Sequence, residues 1–573
     1  LSRRGILSTA AASASAAYGT GLLNSRLYAQ LQAELSGMAD ATDLETYRAT
    51  LGYLGRAPGW GVQAMRRYFY QGMMQLNEIE PKSILFIQDQ LRGSPLLYFS
   101  QALDILLRDA GILAGVKHRV FDQDVGVGLN PLNPGLARGI LYLEMPVGEP
   151  DQLASNGIYL LPETVSDLPP VAGILTQGAG NPLSHVQLLA RNLGIPNVSI
   201  SPELIDALRP YDRKPVVLAV SSGGVVQLRQ DGPQWDKVFG SASQPQGVAI
   251  VPDLKKLDLT PRTMFSLETL SAGDSGRTVG PKAAKLGELK KHYPDAVSRG
   301  VAIPFGLFKS VALDQPHPSG TTLFEWMQTS YGKLAAMQEG ERKQQETEAF
   351  RRELYAAILA VRLPASFKDE LRRSLAREFG DEEVGLFVRS DTNVEDLAGF
   401  TGAGLNLTLP NVVGFDALLA AIPRVWASPF TARAFAWRQS HMTSPEHVYT
   451  SILLLESVGS DKSGVLVTAD IDTGSTDTIS VAVNEGLGGA VDGQAAESLR
   501  IRLADGEVRV LATATAPWRR IPDPAGGILK LPASGSDTVL YPREVVRLVE
   551  FARHLPDRFP SITDDAGKAA PAD

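Results

Sequence analysis

The spacing of apolar residues changes along this chain, and that change constrains the fold more than any other sequence feature. Up to about residue 135, apolar residues cluster at helical spacing, as they do from Leu96 to Leu107. From about residue 137, short apolar runs alternate with glycine and proline, for example Gly139–Leu143 and Val171–Leu175. A chain of 573 residues also exceeds what one hydrophobic core usually supports. We therefore predict an α/β multidomain protein with a helical N-terminal region.

Four segments follow from this pattern. Residues 1–135 are predicted to be mainly helical, and the sequence indicates no chemistry in them. Residues 136–235 are predicted to form a compact α/β domain, because short strands flank a single helix there. Residues 236–263 are rich in Gly, Ser, Pro and Gln and are interpreted as a linker. Residues 264–573 are predicted to form a second, mixed α/β domain.

Charge and composition exclude several classes of function. The formal net charge of −8 gives no electrostatic reason to expect nucleic acid or an anionic membrane as a partner. No apolar run in the sequence is long enough to span a bilayer. The chain contains no cysteine, which excludes disulfides, a thiolate nucleophile and cysteine-ligated zinc.

A histidine lies at the start of the one helix predicted within residues 136–235. A glycine-rich loop follows Thr176, Ser184 occupies the N-cap position, and His185 lies in the first helical turn. The helix is predicted to end at Gly194. The positive end of a helix disfavours imidazolium, so a neutral nucleophilic nitrogen stays available, and the same amides stabilise a phosphate bound to it. His185 is therefore a candidate phosphoryl carrier, although one of seven histidines can also lie at a helix start by chance.

The whole segment resembles the swivelling phosphohistidine domain of the phosphoenolpyruvate-utilising enzymes. The pattern of that family is TSHxxxxARxLGIP, and the chain matches it at Ser184, His185, Arg191 and Leu193–Pro196. The resemblance implies that residues 136–235 form the swivelling domain and that His185 is the phosphorylated residue.

A second motif begins at Val279 and contains Lys282. The stretch from Val279 onward resembles GGKxAxLxEL, the opening of the ATP-grasp domain of the pyruvate phosphate dikinase type. A lysine presented by a glycine-bounded turn can reach nucleotide phosphates as a point charge, and Lys282 is the candidate. Gly-x-Lys before a helix is common, so this motif alone is weak.

A longer motif lies between Phe387 and Gly404. It resembles the family pattern VRSSAxxEDLxxxSxAG and differs chiefly at Asp391 and Thr392. The resemblance implies that Arg389 binds the transferring phosphoryl group and that the backbone at Gly404 approaches the phosphates. Glu395 and Asp396 are assigned either to catalysis or to fixing the loop by hydrogen bonds.

The family resemblance is weaker at several further positions. Leu455, Glu456 and Val458 lie where the backbone of relatives binds adenine. Trp426 and Trp437 occur in a stretch like the family helix WASxxxxRAxxxR, but both are interpreted equally well as core residues.

One position departs from the family. The relatives have Gly-Leu-Gly-Glu where this chain has glycine at residue 489, so an expected acidic group is missing and Glu485 is the available substitute. The metal ligands are not assigned, because the acidic residues expected for Mg²⁺ lie beyond Asp573.

The order of the segments indicates which branch of the family the chain resembles. The histidine domain precedes the ATP-grasp-like domain and no barrel follows, as in the glucan and phosphoglucan, water dikinases. The resemblance implies that ATP, water and an acceptor give AMP, phosphate and a phosphorylated acceptor, with His185 carrying the β-phosphoryl group, Mg²⁺ bridging the phosphates and the linker acting as a hinge. A glucan is one expected acceptor. The alternatives are a small-molecule acceptor, as in pyruvate, water dikinase, and a degenerate nucleotide-binding module, for which Gly489 argues.

The first residues allow two interpretations. Leu1–Ala17 contains an Arg-Arg pair before an Ala- and Ser-rich stretch, which is faintly similar to a twin-arginine export signal. It is also a plain alanine-rich helix. We expect a cytoplasmic protein, because the implied chemistry uses ATP.

Overall fold

The computed structural model of the chain describes residues 2–38, 43–113, 118–125, 128–144, 153–161, 171–177, 195–221, 224–241, 251–338, 340–380, 384–395, 407–489, 496–536 and 538–559. Three residues of the predicted site, His185, Asp396 and Gly404, lie outside these ranges.

Six helices form the described part of the N-terminal region, residues 3–38 and 43–113. The first is the alanine-rich segment, which begins after Ser2 as its N-cap and buries one face built largely of alanine. Small side chains at helical spacing let α1 lie close against the last helix of the region. The N-terminal segment is thus part of a core. The helices are α1 Arg3–Gly19, α2 Ser25–Met38, α3 Leu44–Leu54, α4 Ala57–Asn77, α5 Phe86–Arg92 and α6 Pro95–Leu113.

A nine-stranded mixed sheet follows, in what we call the nine-stranded domain, residues 118–241. Its strand order is β2-β1-β9-β8-β4-β5-β6-β7-β3, and β4, β5, β6 and β7 run parallel to one another. Helices α7 Pro202–Leu208 and α8 Asp236–Ser241 lie in the same domain. The strands are β1 His118–Val120, β2 Gln123–Val125, β3 Leu129–Asn133, β4 Gly135–Tyr142, β5 Gly157–Leu161, β6 Gly173–Thr176, β7 Asn197–Ile200, β8 Pro215–Val220 and β9 Val226–Gln230.

This sheet begins before residue 136, where we placed the start of the domain. Strands β1, β2 and β3 lie within residues 118–133, which we predicted as part of the helical region, and β1 and β3 pair with β9 and β7. Strands of three to five residues contain too few positions for alternation to show. The strands predicted from the apolar runs between residues 139 and 220 are confirmed.

The five-stranded domain, residues 251–456, is built on a sheet of order β10-β11-β14-β12-β13. One sheet face packs under long amphipathic helices and the other under a single helix, α9. The strands are β10 Phe265–Ser266, β11 Gly300–Ile303, β12 Leu386–Thr392, β13 Thr408–Val412 and β14 Thr450–Glu456. The helices are α9 Pro281–His292, α10 Phe305–Phe308, α11 Leu323–Ala335, α12 Glu341–Leu359, α13 Ala365–Phe379, α14 Phe415–Ala427 and α15 Ala432–His441.

Part of the predicted linker belongs to this domain. Leu257 and Leu259 pack, partly buried, against the core of the five-stranded domain. Residues 242–250 lie outside the described residues, so the expected hinge is untested.

The four-stranded lobe, residues 462–559, completes the described chain. Its sheet has the order β15-β16-β17-β18, and a two-stranded hairpin and a C-terminal helix follow. The hairpin turn binds β13 of the five-stranded domain, since the Asn411 side chain donates to the carbonyl of Asp523 at 2.7 Å. The elements are β15 Lys462–Val467, β16 Thr478–Glu485, β17 Glu497–Arg502, β18 Val508–Ala512, β19 Trp518–Pro522, β20 Ile528–Pro532 and α16 Pro542–Arg558.

The N-terminal helices and the four-stranded lobe share one hydrophobic core. Strand β18 is the edge of its sheet, and side chains from the helices bind its free carbonyl groups. Gln30 donates to Val508 at 2.8 Å, Tyr53 to Val510 at 3.0 Å, and the Trp60 indole to Leu511 at 2.9 Å. An open edge strand invites pairing with other chains, and here the helices close it. The region to which the sequence assigned no chemistry is thus a structural part of the C-terminal lobe.

Trp60 tests this shared core. Replacing Trp60, which is 2% exposed, with alanine removes a buried indole and leaves the Leu511 carbonyl without its donor. We expect a loss of about 3–5 kcal/mol, which lowers the Tm of the C-terminal lobe by about 10 °C in scanning calorimetry. Tyr98→Ala is the control, because Tyr98 is 63% exposed on α6. Equal Tm values for the two variants would contradict the shared core.

None of the helices in the described part of the chain is both long and apolar enough to cross a membrane.

Candidate active site

Strand β12 directs two charged residues to one face of the five-stranded sheet. Leu386 and Val388 point into the core beneath the long helices, so the alternate residues Arg389 and Asp391 face the other side. Arg389 lies directly opposite Leu453 of β14, which packs against α9. Arg389 therefore shares its sheet face with α9, the helix that carries Lys282.

The first turn of α9 is held by a buried carboxylate. Asp391, 0% exposed, accepts hydrogen bonds from the backbone N–H groups of Lys282 and Ala283, each at 2.9 Å. The Ser451 hydroxyl accepts from the backbone of Gly280 at 2.9 Å and donates to the Asp391 carbonyl at 2.7 Å. These bonds satisfy amides that a helix start leaves without partners, and the negative charge suits the positive end of the helix.

Gly280 has a steric reason to be glycine. A Cβ atom at this position would lie 2.3 Å from the Asp391 carboxylate oxygen. The close approach of the two segments therefore requires the absence of a side chain.

The Lys282 amine lies between strand and loop. It forms an ion pair with the nearly buried carboxylate of Glu395 and is 3.4 Å from the carbonyl oxygen of Ser390. Glu395 also accepts from the backbone of Thr392 at 3.4 Å. Of the two roles considered for Glu395, these contacts support the one in which it fixes the loop and the lysine.

Arg389 provides the second cation. Burial lowers the pKa of its guanidinium while the negative charge of Asp391 raises it, and arginine stays protonated in either case. Its Nε atom is buried and has no hydrogen-bond partner among the residues that the structure describes. A buried cation with an unused donor suits an anionic group such as a phosphate, which guanidinium binds in a bidentate manner.

The residues predicted to bind adenine lie at the far end of the same strand pair. The Glu456 carboxylate is bound by Arg299 at 2.7 and 2.9 Å, and its backbone N–H donates to the Arg299 carbonyl at 3.0 Å. Leu455 packs partly buried above α9, and Val458 is exposed just past the strand. Glu456 pairs with Leu386, five positions before Asp391, so the two ends of the site are roughly 17 Å apart along β12. The structure thus places the cations at one end and the exposed Val458 at the other.

Glu485, considered as a substitute for the missing acid at Gly489, is already engaged. Its carboxylate accepts from the backbone N–H of Ser534 at 2.8 Å and from the Ser534 hydroxyl. Gly486 has φ of +72°, and a Cβ there would lie 2.3 Å from the carbonyl of Arg520. This turn is therefore shaped by packing against β19.

The tryptophans belong to the core. Trp426 and Trp437 are fully buried, which confirms the core interpretation. Arg438 is also buried and donates to the carbonyl of Pro429 at 2.7 Å. Desolvation lowers the pKa of Arg438 to about 10, and the residue acts as a scaffold cation.

Metal ligands are not found in the described part of the chain, where no group of three or more His, Asp or Glu side chains could hold an ion. The described residues therefore give no support for a magnesium site.

The nine-stranded domain docks beside this site. Tyr159, Ile174 and Ile195 share a buried cluster with Val394 and Trp437 of the five-stranded domain. Ile174 precedes and Ile195 follows the segment that carries His185. Val394 lies next to Glu395, the partner of Lys282, so Ile174 and Ile195 contact the five-stranded domain next to the cationic end of the site.

Sequence reasoning missed Asp391 and Ser451 as site residues. Asp391 had been noticed only as a departure from the family pattern. The missing signal was spatial, because nothing in the sequence shows that α9 begins against the end of β12.

Asp391 gives a testable prediction. Replacing Asp391 with alanine removes two charge-assisted hydrogen bonds and an N-terminal cap, so we expect a loss of about 3 kcal/mol of stability and weaker ATP binding. Thermal unfolding and equilibrium dialysis with ATP measure the two effects. Asp369→Ala on α13, where the side chain is 66% exposed, is the matched control. Unchanged ATP affinity in Asp391→Ala would show that the cap does not position Lys282.

Comparison with known proteins supports the predicted superfamily of phosphoenolpyruvate-utilising dikinases. Residues 276–555 match the family described as pyruvate phosphate dikinase, AMP/ATP-binding domain. A phosphoenolpyruvate synthase of Pyrococcus furiosus is 33% identical over 183 residues, which cover 31% of this chain and 21% of that protein. A rifampicin phosphotransferase of a Streptomyces species is 30% identical over 290 residues, 50% of this chain and 32% of that protein. One from Bacillus subtilis is 28% identical over 230 residues, 40% of this chain and 25% of that protein.

The chain spans only about a fifth to a third of the length of these relatives. Their names refer to phosphoenolpyruvate and rifampicin, and give no support for the particular closeness to glucan, water dikinases that we expected. The matched segment contains Lys282 on α9, Arg389 on β12, and the strand β14 that pairs with β12.

Proposed function

We propose that the protein is an ATP-dependent dikinase that phosphorylates its own His185 and passes the phosphoryl group to an acceptor. The observation that carries this proposal is the pair of cations, Lys282 and Arg389, on one sheet face within a segment similar to a dikinase ATP-binding domain. The balanced reaction is ATP, water and acceptor to AMP, phosphate and phosphorylated acceptor.

Each residue of the site has a distinct role in this proposal. The backbone past Glu456 binds the adenine, and Arg389 holds the phosphoryl group that is transferred. The Lys282 amine contacts the phosphates, while Glu395 and Asp391 hold that lysine in place. His185 takes up the β-phosphoryl group as the bond to AMP breaks, and the γ-phosphoryl group goes to water. In relatives Mg²⁺ neutralises phosphate charge, but no described residue set fits it here, and no step is assigned to it.

The docked position of the nine-stranded domain supports the loading step. A buried cluster joins Ile174 and Ile195, which flank the segment with His185, to Val394 of the five-stranded domain, and this contact supports loading of His185 at the phosphate end of the site. Transfer to an acceptor then requires the domain to leave this position, with residues 242–250 as the hinge.

The acceptor we propose is a small molecule. The relatives are named for phosphoenolpyruvate and for rifampicin, both small molecules, and none of these names supports a polysaccharide. A panel that compares pyruvate and small hydroxylated compounds with soluble glucans distinguishes the two classes. Phosphorylation of a glucan alone would overturn the small-molecule proposal without affecting the dikinase proposal. We place the reaction in the cytoplasm, where ATP is abundant.

Analysis of the nucleotide products tests the proposed function. Incubation of the full chain with ATP and Mg²⁺, followed by separation of nucleotides, should give AMP and phosphate in equal amounts, up to one of each per chain when no acceptor is added. ADP as the sole product would identify an ordinary kinase or ATPase. ATP binding without turnover would instead support the nucleotide-binding module, for which the missing acid at Gly489 and the engaged Glu485 argue.

A further inference from the structure

A cavity lies at the seam between the N-terminal helices and the four-stranded lobe, away from the candidate active site. Its volume is about 250 Å³. The wall combines the turn between α1 and α2, the middle of α4, and the segment that follows β18. Its principal lining residues are Tyr18, Leu23, Trp60, Arg67, Tyr68 and Thr513.

The wall has an apolar floor and a polar mouth. Leu23, Leu27 and Trp60 are buried and form the floor. Tyr68 is largely exposed at the mouth, and Tyr18 is partly exposed there with its ring stacked on that of Tyr28. Such a combination suits a flat apolar body that lies on the apolar floor and against the Tyr68 ring.

One cation faces this apolar wall. Arg67 has no carboxylate within ion-pair distance among the residues that the structure describes, and its guanidinium lies 5.7 Å from the centre of the Tyr68 ring. Thr513 and Thr515 add hydroxyl groups to the same wall. A guanidinium without an acidic partner at the mouth of an apolar cavity favours a ligand that brings its own carboxylate.

The size of the cavity limits the ligand. A dry apolar cavity of about 150 Å³ holds benzene in another protein. A cavity of about 250 Å³ therefore has room for one or two fused rings with a short acidic arm. We propose that this seam is a binding site for a small aromatic carboxylate, distinct from the ATP site.

The proposed site adjoins the turn at Gly486. Arg67 lies against Gly535, where a Cβ would be 3.4 Å from its guanidinium. The neighbouring Ser534 binds Glu485, the residue before that turn. A ligand bound to Arg67 would therefore lie between the N-terminal helices and the turn that precedes Gly489, the position that departs from the family pattern.

Paired probes test the site without any assay of activity. Indole-3-acetate and indole-3-acetamide have nearly the same shape and differ in charge. In equilibrium dialysis against the full chain we expect saturable, submillimolar binding of the acid and about tenfold weaker binding of the amide. Arg67→Gln should remove the preference for the acid, and Ala64→Trp, which fills the cavity, should remove binding of both probes.

Ala64 and Arg67 lie outside the candidate active site, so ATP affinity serves as the folding control for both variants and should not change. Binding that Ala64→Trp does not alter would place the probes elsewhere and overturn the proposal. Equal binding of acid and amide, or no saturable binding up to about 10 mM, would overturn it as well.

Discussion

Alanine at position 185 abolishes AMP formation while ATP binding stays within about twofold of the unchanged protein. The imidazole is the only group proposed to accept the β-phosphoryl group, whereas the proposed contacts with ATP come from Lys282, Arg389 and the segment past Glu456. AMP is measured by nucleotide separation, and ATP affinity by equilibrium dialysis. His554→Ala, an exposed histidine on α16, is the control and should keep full activity. AMP formation that survives His185→Ala would exclude this residue as the carrier.

Lysine at position 389 lowers the rate of histidine phosphorylation on the order of 10²–10³-fold. Lysine keeps the positive charge but loses the planar fork that binds a phosphoryl group with two hydrogen bonds. Because Arg389 is buried opposite Leu453, the shorter reach of an ammonium cannot be recovered by movement toward solvent. The rate is measured in a single turnover with the full chain.

Two results would contradict this role of Arg389. The control is Arg373→Lys on α13, whose side chain is 73% exposed, and it should leave the rate unchanged. A loss in Arg389→Lys no greater than in the control would mean that only charge matters at the site. A rise in the Michaelis constant for ATP with an unchanged maximal rate would mean that Arg389 binds the ground state alone.

The positions of both cations were predictable from the sequence, because their motifs bring local structure with them. Lys282 begins a helix after a glycine, and Arg389 follows apolar strand residues. That they share one sheet face depends on the pairing of β12 with β14, which local patterns do not specify. The role of Asp391 could not be predicted from local patterns for the same reason, since its partners are more than a hundred residues earlier in the chain.

The N-terminal region shows the other limit of sequence reasoning. Its mainly helical character was predictable from apolar spacing, but the partner of its helices was not. Gln30, Tyr53 and Trp60 bind a strand more than 450 residues later, and no periodic pattern records such a contact. The alanine face of α1 likewise indicates burial without indicating what covers it.

This packing restricts how the nine-stranded domain can move. The helices before it and the five-stranded domain after it both contact the four-stranded lobe, so the domain is tethered at both ends. Five chain steps join Leu113 to His118, a reach of roughly 17 Å, and ten join residues 241 and 251, roughly 35 Å. We expect the longer connection to act as the hinge and the shorter one to limit how far the domain can travel.

Identification of the phosphorylated residue is the measurement that tests the central claim most directly. The full chain is incubated with ATP labelled at either the β- or the γ-phosphate, and the labelled peptide is then identified by mass spectrometry under alkaline conditions. The account predicts an acid-labile phosphate on His185 whose label comes from the β position after the γ-phosphate has been released. Label on serine or threonine, or no covalent label while ATP is consumed, would contradict it.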